Sequence, residues 1–335
     1  MTITILIYGF LFGAILQSAK LNRYDTISGM ATLENYKVAK AIALAIGVGA
    51  ILLNIEIGLG FASYHTKPLI LGGIVFGGLI FGAGMAILGY CPGTMIVSLG
   101  EGSLDAAAGF IGALLGGLAY TLLLPAINGL LGPDLGTFSL FSITGSNPSL
   151  FYFLLFLFGS LFIAIAFLVH KFEKVKDLTW IFAGVALAIL NCIIFLKSGM
   201  DRQLGASTAY PHLANLISGN TGNEYFTKSM KSGSWETIFL GGTLISGVLI
   251  SLLRKDFKIK LIHPNWERYR GNSAGGRIFW AMFGGFILIF GARMAGGCTS
   301  GHVISGGMQL AVSSLIFAIF VFAGLLITGR LFYRK

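Results

Sequence analysis

Charged side chains are scarce in this chain. They make up 11% of its 335 residues, with only 13 acidic side chains, whereas hydrophobic residues make up 55%. Because a soluble globular domain carries about 25% charged residues, the composition excludes a soluble protein and predicts an all-α protein that crosses a membrane several times. The net charge of +10 lies mostly in short loops, so it indicates membrane topology and not nucleic-acid binding.

Cysteine is also rare. The three residues Cys91, Cys192 and Cys298 are an odd number and suggest no disulfide framework. The N-terminus is apolar from Ile3 and has no basic segment or cleavage site of a signal peptide, so we predict a membrane span there. No nucleotide-binding motif is present, and no cofactor is expected. Glycine, by contrast, is abundant at 48 residues, as in membrane helices that approach each other closely.

Nine apolar segments approach the length of about 20 helical residues that a bilayer requires. Their predicted bounds are 3–19, 38–57, 69–88, 106–127, 150–169, 178–196, 237–253, 278–295 and 308–329, within one membrane domain that covers 1–335. With the N-terminus outside, the inner stretches hold seventeen Lys and Arg residues and the outer stretches hold five. This distribution predicts an outside N-terminus and an inside C-terminus.

Two similar turns interrupt the apolar pattern. Residues 81–94 read FGAGMAILGYCPGT and residues 290–302 read FGARMAGGCTSGH, so Cys91 corresponds to Cys298. The gaps after the third and eighth spans are too short and too apolar for ordinary loops, which predicts re-entrant turns followed by short helices. Pro92 suits the first position of such a helix. Because five spans separate the copies, they run in opposite directions, and we predict two inverted halves, 1–170 and 171–335.

The two cysteines are predicted to contact a substrate. A single cysteine in a membrane helix is usually a small apolar filler, which is our interpretation of Cys192. Matching positions in an internal repeat favour a functional role for Cys91 and Cys298. The residues that flank them complete the predicted contacts, namely Gly89, Pro92, Gly297 and Thr299.

Arg293 and His302 add polar groups to the second turn. An intramembrane arginine indicates either an anion site or a structural ion pair, for which the candidate partners are Glu56, Glu101 and Asp105. A Cys/His pair could bind a metal. The sequence does not supply the further donors of a four-ligand site, so we expect no metal and predict a hydrogen-bonding or gating role for His302.

At these turns the chain resembles the YeeE/YedE family of sulfur-transport proteins, which are bacterial inner-membrane permeases for thiosulfate and related sulfur compounds. The most specific parts are GYCPGT at 89–94 and GGCTSGH at 296–302, preceded by Arg293. The resemblance runs from the first span to the last and implies that Cys91 and Cys298 stand along the substrate path. It also implies a multi-pass protein of the bacterial inner membrane. Its partners would be membrane lipid and a separate small cytoplasmic sulfur-carrier protein.

The chain departs from the family behind the first span. Members often have a cysteine after an Arg-aromatic pair, whereas Asp25 follows Arg23 and Tyr24 here. This difference is compatible with another sulfur or selenium substrate. Residues 21–29 (LNRYDTISG) and 200–208 (MDRQLGAST) also resemble each other, and we predict Arg23, Asp25 and Arg202 as candidates for handling the substrate on the inner side.

The chemistry of the turns supports uptake of thiosulfate. A thiol S–H is a weak donor suited to the soft terminal sulfur, while helix N-termini and an arginine suit the charged oxygens. The alternative is a membrane sulfurtransferase or thiol oxidoreductase that uses Cys91 and Cys298 as nucleophiles. No His–Asp pair stands beside either cysteine in the sequence, which disfavours an activated nucleophile.

Overall fold

Helices form all the named elements of the structure. The computed structural model describes residues 1–145, 147–173 and 177–334. A π-helix spans Thr299–Gly306, and the α-helices are α1 (Thr2–Ser18), α2 (Tyr24–Ala31), α3 (Lys37–Gly58), α4 (Leu71–Leu88), α5 (Pro92–Gly100), α6 (Leu104–Leu131), α7 (Leu140–Thr144), α8 (Pro148–Phe172), α9 (Thr179–Phe195), α10 (Ala209–Ser218), α11 (Glu224–Leu253), α12 (Pro264–Arg270), α13 (Ala274–Met294) and α14 (Val312–Phe332). The predicted all-α membrane class is confirmed.

Within the described residues, seven helical stretches are long and apolar enough to cross a membrane: α3, α6, α8, α11, α13, α14 and Leu71–Gly100, which contains α4 and α5. The shorter apolar helices α1 and α9 occupy the two remaining predicted segments. The predicted start of the seventh span at residue 237 is wrong. Helix α11 begins at Glu224, because Asn223 caps it by accepting a hydrogen bond from Phe226 N at 2.7 Å. Three cations of the predicted inner side lie outside the described residues, namely Lys174, Lys176 and Lys335.

Four helices form the centre of the bundle, where α13 packs against α6 and α4, and α14 packs against α4. Glycine makes this close approach possible. A Cβ on Gly112 of α6 would lie 1.9 Å from Met282 O of α13, and a Cβ on Gly324 of α14 would lie 2.2 Å from Leu79 O of α4. Any larger residue at these positions would push the helices apart, so the glycines set the spacing of the centre.

The first cysteine turn joins α4 to α5. Gly89 ends α4 in a left-handed conformation with φ of +79°, and Cys91 caps α5. Pro92 occupies the first position of α5, as predicted, where its missing N–H loses no helical hydrogen bond. Arg277 of α13 donates both to the last carbonyl of α4 and to the first turn of α6. The end of α4 therefore lies beside the start of α6, which follows α5 directly.

The second cysteine turn lies at the other end of α13. Gly296 has a φ of +74°, Cys298 precedes the first turn of the π-helix, and α14 begins at Val312. A π-helical turn is rare and frequently marks a functional site. The two turns thus start from opposite ends of the bundle, and each places its cysteine at the N-terminus of a short helix.

Candidate functional site

A polar cavity of about 190 Å³, which we name the vestibule, lies beside the second cysteine turn. Cys298 lines it together with cations, a carboxylate and hydroxyl groups, which include Lys67, Arg202, Ser207, Thr208, Glu236 and Arg293. These cations outnumber the carboxylate when all of them are ionised. The vestibule is therefore positively charged, which favours an anionic ligand.

Arg293 reaches the vestibule from the last turn of α13. The residue is 8% exposed, and its Nη1 donates to Ser207 Oγ at 2.9 Å and to Thr208 Oγ1 at 3.0 Å. In the part of the chain that the structure describes, Nε has no hydrogen-bond partner and no carboxylate forms an ion pair with the guanidinium. Both of these partners are neutral hydroxyls, so the guanidinium has no direct anionic partner among the described residues and can bind an anion.

The acids predicted as partners of Arg293 do not pair with it. Asp105 binds Arg277 with an Nη2–Oδ2 distance of 2.5 Å, and Glu101 Oε2 lies 3.7 Å from Arg23 Nε. Glu56 forms no ion pair in the described ranges either. The alternative in which Arg293 forms an ion pair with one of these three acids is therefore not observed, because two of them pair with other arginines near the opposite end of α13.

Glu236 of α11 organises the vestibule wall. Its carboxylate accepts a hydrogen bond from Thr208 N at 2.6 Å and lies 3.7 Å from Arg202 Nη2. The Arg202 guanidinium also stacks on the Trp235 ring at 3.9 Å. Sequence reasoning missed Glu236 because the predicted seventh span began at residue 237, so the first turns of α11 were not assigned to a helix.

The three inner-side candidates do not lie together. Asp25 Oδ1 accepts a hydrogen bond from Asn265 N at 2.8 Å, which docks α12 on α2. Arg23, next to Glu101, lies at this same end of the bundle, where α5 stops and α6 begins. Arg202 instead lines the vestibule beyond the opposite end of α13. Arg202 therefore does not form one site with Arg23 and Asp25, and the membrane side that each of them faces stays a prediction.

Lys67 lies beside the second cysteine turn, in the segment between α3 and α4. Its Nζ donates a hydrogen bond to Gly296 O, and a Cβ on Gly297 would lie 2.7 Å from Nζ. Burial, and then the positive charge of Arg293, lower the pKa of Lys67 to about 8. Sequence reasoning missed this residue as well, because its local pattern shows only one cation in a short polar loop.

A second cavity, of about 50 Å³, lies toward α2 and is apolar. We name it the apolar cavity. In the part of the chain that the structure describes, no charged side chain lines this cavity. Apart from the Cys91 thiol, the polar side-chain groups of that lining are the hydroxyls of Thr94, Thr299 and Ser300. Cys91 Sγ accepts hydrogen bonds from Thr94 N at 3.5 Å and from Thr94 Oγ1 at 3.2 Å. A charged ligand has no ionic partner in this cavity.

The start of the π-helix separates the two cavities. Cys298 lines the vestibule, whereas the next two residues, Thr299 and Ser300, line the apolar cavity with Cys91. The Cys298 thiol is buried and lies 3.3 Å from Ser300 Oγ. Within the described residues, Thr299 Oγ1 has no hydrogen-bond partner. The structure thus brings the predicted residues Cys91, Cys298 and Thr299 to one wall, with a thiol on each side of it.

His302 forms its hydrogen bonds inside the protein. Nε2 lies 3.1 Å from Ala295 O, which can only accept, so Nε2 carries the proton and Nδ1 accepts from Ser314 Oγ at 2.7 Å. The ring also stacks on Phe317 at 4.7 Å. Because both nitrogens are engaged and neither cavity is lined by this residue, His302 joins the π-helix to α14.

The remaining predicted site residues act through the backbone. Gly297 lines the vestibule directly before Cys298. Gly89 allows the first turn to pass Tyr24, since a Cβ would lie 2.2 Å from that ring. Pro92 O accepts a hydrogen bond from Tyr210 OH, which ties α5 to α10. These residues position the thiols.

Comparison with known proteins identifies the family of this chain. The sequence profile of the sulphur transport family matches residues 24–327, a range that includes both cysteine turns and the vestibule. The chain belongs to the sulphur transport family. The thiosulfate transporter TsuA of Spirochaeta thermophila is 25% identical to the chain over 348 residues, which cover 98% of each protein. This member of the sulphur transport family is accordingly a multi-pass membrane transporter and not an enzyme.

Proposed function

We propose that this protein is a permease of the bacterial inner membrane that takes up a small sulfur-containing anion, with thiosulfate as the first candidate. The observation that carries the proposal is the wall between the cavities, where Cys298 borders the vestibule and Cys91 borders the apolar cavity. The similarity to a thiosulfate transporter supports the choice of anion.

The vestibule contains groups that can bind the charged oxygens of the anion. Arg293 Nε has no hydrogen-bond partner among the described residues, and an oxyanion can replace the two hydroxyls that accept from Nη1. Charge-assisted hydrogen bonds from a guanidinium are stronger than those between neutral groups. The anion would therefore bind here first, with its oxygens toward Arg293 and its sulfur toward Cys298.

The thiols of Cys298 and Cys91 can contact the soft terminal sulfur of the anion. A thiol S–H donates only a weak hydrogen bond, and weak binding at successive sites is what conduction through a narrow path requires. In the proposed sequence the sulfur passes from Cys298 to Cys91. Among the described residues no cation lines the apolar cavity, so the cavity has to widen and admit water before a dianion leaves through it.

We also propose that 1–170 and 171–335 are inverted halves. In support, α4 packs on α14 as α13 packs on α6, and α1 packs on α11 as α9 packs on α3. In this arrangement the N-terminus and the vestibule are outside, and the apolar cavity opens inward. Membrane lipid and a separate small cytoplasmic sulfur-carrier protein are the further proposed partners.

Uptake of doubly labelled thiosulfate into proteoliposomes, with sulfate as the control anion, tests the proposal. We expect both sulfur atoms to enter together and sulfate to be taken up poorly. Uptake no higher than in protein-free vesicles would contradict transport of thiosulfate. Entry of one sulfur atom alone, with a persulfide trapped on Cys91 or Cys298, would show a sulfurtransferase instead.

A further inference from the structure

Lys67 lines the vestibule, and the proposed function does not assign it a role. Its Nζ donates to Gly296 O and lies close to Gly297, the residue directly before Cys298. Lys67, both glycines and Cys298 all line the vestibule. An anion seated against Cys298 in this cavity is therefore next to the Lys67 amino group.

We propose that the protonated amino group of Lys67 binds the transported anion directly, so that anion binding at alkaline pH is accompanied by uptake of a proton. This inference rests on the proposed function. It adds to that function one ligand of the anion and, at alkaline pH, one proton from solution.

The contacts of Lys67 leave it able to turn toward an anion. Its hydrogen-bond acceptor is a neutral backbone carbonyl. Over the described ranges, no carboxylate pairs with Nζ, because Glu236 lies 3.7 Å from Arg202 and Asp201 lies 3.2 Å from His65. A bound anion would thus supply a negative partner that the folded chain does not.

Several charged and titratable groups act on Lys67 from the elements around it. Desolvation in the vestibule wall lowers its pKa most and the positive charge of Arg293 on α13 acts in the same direction, so that the pKa lies at about 8. Arg202 also opposes the ammonium, whereas Glu236 on α11 and Cys298 on the second turn favour it. An anion bound at Nζ favours the protonated form, so it raises the pKa and binding becomes linked to proton uptake.

The sign of the linkage follows from the lowered pKa. Below about pH 8 the amino group of Lys67 is already protonated, so the anion binds without a proton. Above that pH the empty site is mostly neutral and has to take up a proton, so affinity falls as pH rises. If only the protonated form binds, the competent fraction drops from about 0.9 at pH 7 to about 0.1 at pH 9, and affinity drops about tenfold. Thiosulfate remains a dianion throughout this range. His302 is not expected to make the affinity depend further on pH, because both of its ring nitrogens are hydrogen-bonded within the protein.

Isothermal titration calorimetry of thiosulfate binding to the full chain in detergent tests this inference. Titrations at pH 7 and pH 9, in two buffers with different ionisation enthalpies, give both the affinity and the number of protons taken up. For the wild type we expect an affinity about tenfold lower at pH 9, with net proton uptake at pH 9 and little at pH 7.

Three variants locate the effect. Lys67→Arg keeps a cation at both pH values, so it should retain affinity and lose the pH slope and the proton uptake. Lys67→Gln should bind weakly and equally at both pH values. The matched control is Lys197→Gln, which removes an exposed lysine that also donates to a backbone carbonyl, Gly60 O at 3.0 Å, and it should behave as the wild type.

Two results would overturn the inference. One is wild-type binding without a pH slope or proton uptake, which decides the question even if no variant folds. The other is a Lys67→Arg variant that keeps the wild-type slope. Folded wild-type protein that binds no thiosulfate at either pH would instead refute the proposed function, so the two failures are distinguishable.

Discussion

Arg277 and Arg293 stand near opposite ends of α13, and both are buried, but their surroundings differ. Arg277 is 0% exposed, and its Nε and Nη2 donate to Asp105 Oδ2 at 3.1 and 2.5 Å. Arg293 donates to two hydroxyls and borders the vestibule. A buried arginine matched to a carboxylate holds the fold together, whereas one matched only to hydroxyls keeps a charge available for an anion.

The end of α13 that carries Arg277 is a closed network. Asp105 Oδ1 accepts from Tyr90 OH at 3.3 Å and lies 3.1 Å from His263 Nε2. These contacts join α6 and α13 to the first cysteine turn and to the segment before α12. At the end that carries Arg293, the nearby carboxylate Glu236 is linked to the guanidinium only through Thr208, and within the described residues Nε is without a partner and the side chain borders a cavity. The comparison predicts different outcomes for similar substitutions.

The largest effect is expected for Arg277→Gln. It leaves the Asp105 carboxylate buried without its cation, which costs about 3–5 kcal/mol. We expect little folded protein, measured as monodisperse protein in detergent and as melting temperature. The double variant Arg277→Gln with Asp105→Asn should recover part of this loss, because no buried charge remains. If Arg277→Gln alone were as stable as the wild type, the conclusion that Arg277 holds the fold together would be wrong.

Replacement of Cys91 or Cys298 should abolish transport without unfolding the protein. Cys298→Ala and Cys91→Ala remove the proposed thiol contacts to the anion, and serine should also impair uptake because a hydroxyl is a harder partner for sulfur. The measurement is thiosulfate uptake into proteoliposomes, beside melting temperature. Cys192→Ala, which changes a buried thiol of α9 outside both cavities, is the matched control. Normal uptake in either path variant would make that cysteine a packing residue.

Arg293→Gln should fold and bind poorly. A hydrogen bond to a charged group contributes about 1.5–3 kcal/mol, so thiosulfate affinity should fall on the order of 10- to 100-fold. The melting temperature without substrate should stay close to that of the wild type, because no carboxylate is left unpaired. Arg293→Lys should keep only part of the affinity, since the lysine ammonium keeps the positive charge but lacks the planar guanidinium that can donate two parallel hydrogen bonds. Lost stability with unchanged affinity would assign Arg293 to the fold.

The smallest effect is expected for Asp25→Ala. Loss of the hydrogen bond to Asn265 N should lower the free energy of unfolding by about 0.5–1.5 kcal/mol, because α12 docks less firmly on α2. Uptake of thiosulfate at saturating concentration should not change, since neither cavity is lined by Asp25. A selective loss of uptake in a stable variant would place Asp25 on the path and extend the functional region to this end.

The apolar segments and the first cysteine turn could be predicted from the sequence because both depend on local interactions. A hydrophobic run of sufficient length forms a membrane helix wherever it lies, since its backbone groups bond within the segment. In the same way, Cys91 and Pro92 cap α5 through groups only a few residues apart. The internal repeat also identified Cys298 as the counterpart of Cys91, because that comparison needs only the sequence.

Only the tertiary structure decided which charges meet. The sequence offered Asp105 as a candidate partner of Arg293, and helix packing matched it to Arg277 instead. Lys67 reaches the second turn across a sequence separation of more than two hundred residues, as recorded by its bond to Gly296. Hydrophobic periodicity carries no information about such pairs, because a charge at a helix end or in a short loop satisfies the same local pattern whether it faces solvent, a carboxylate or a cavity.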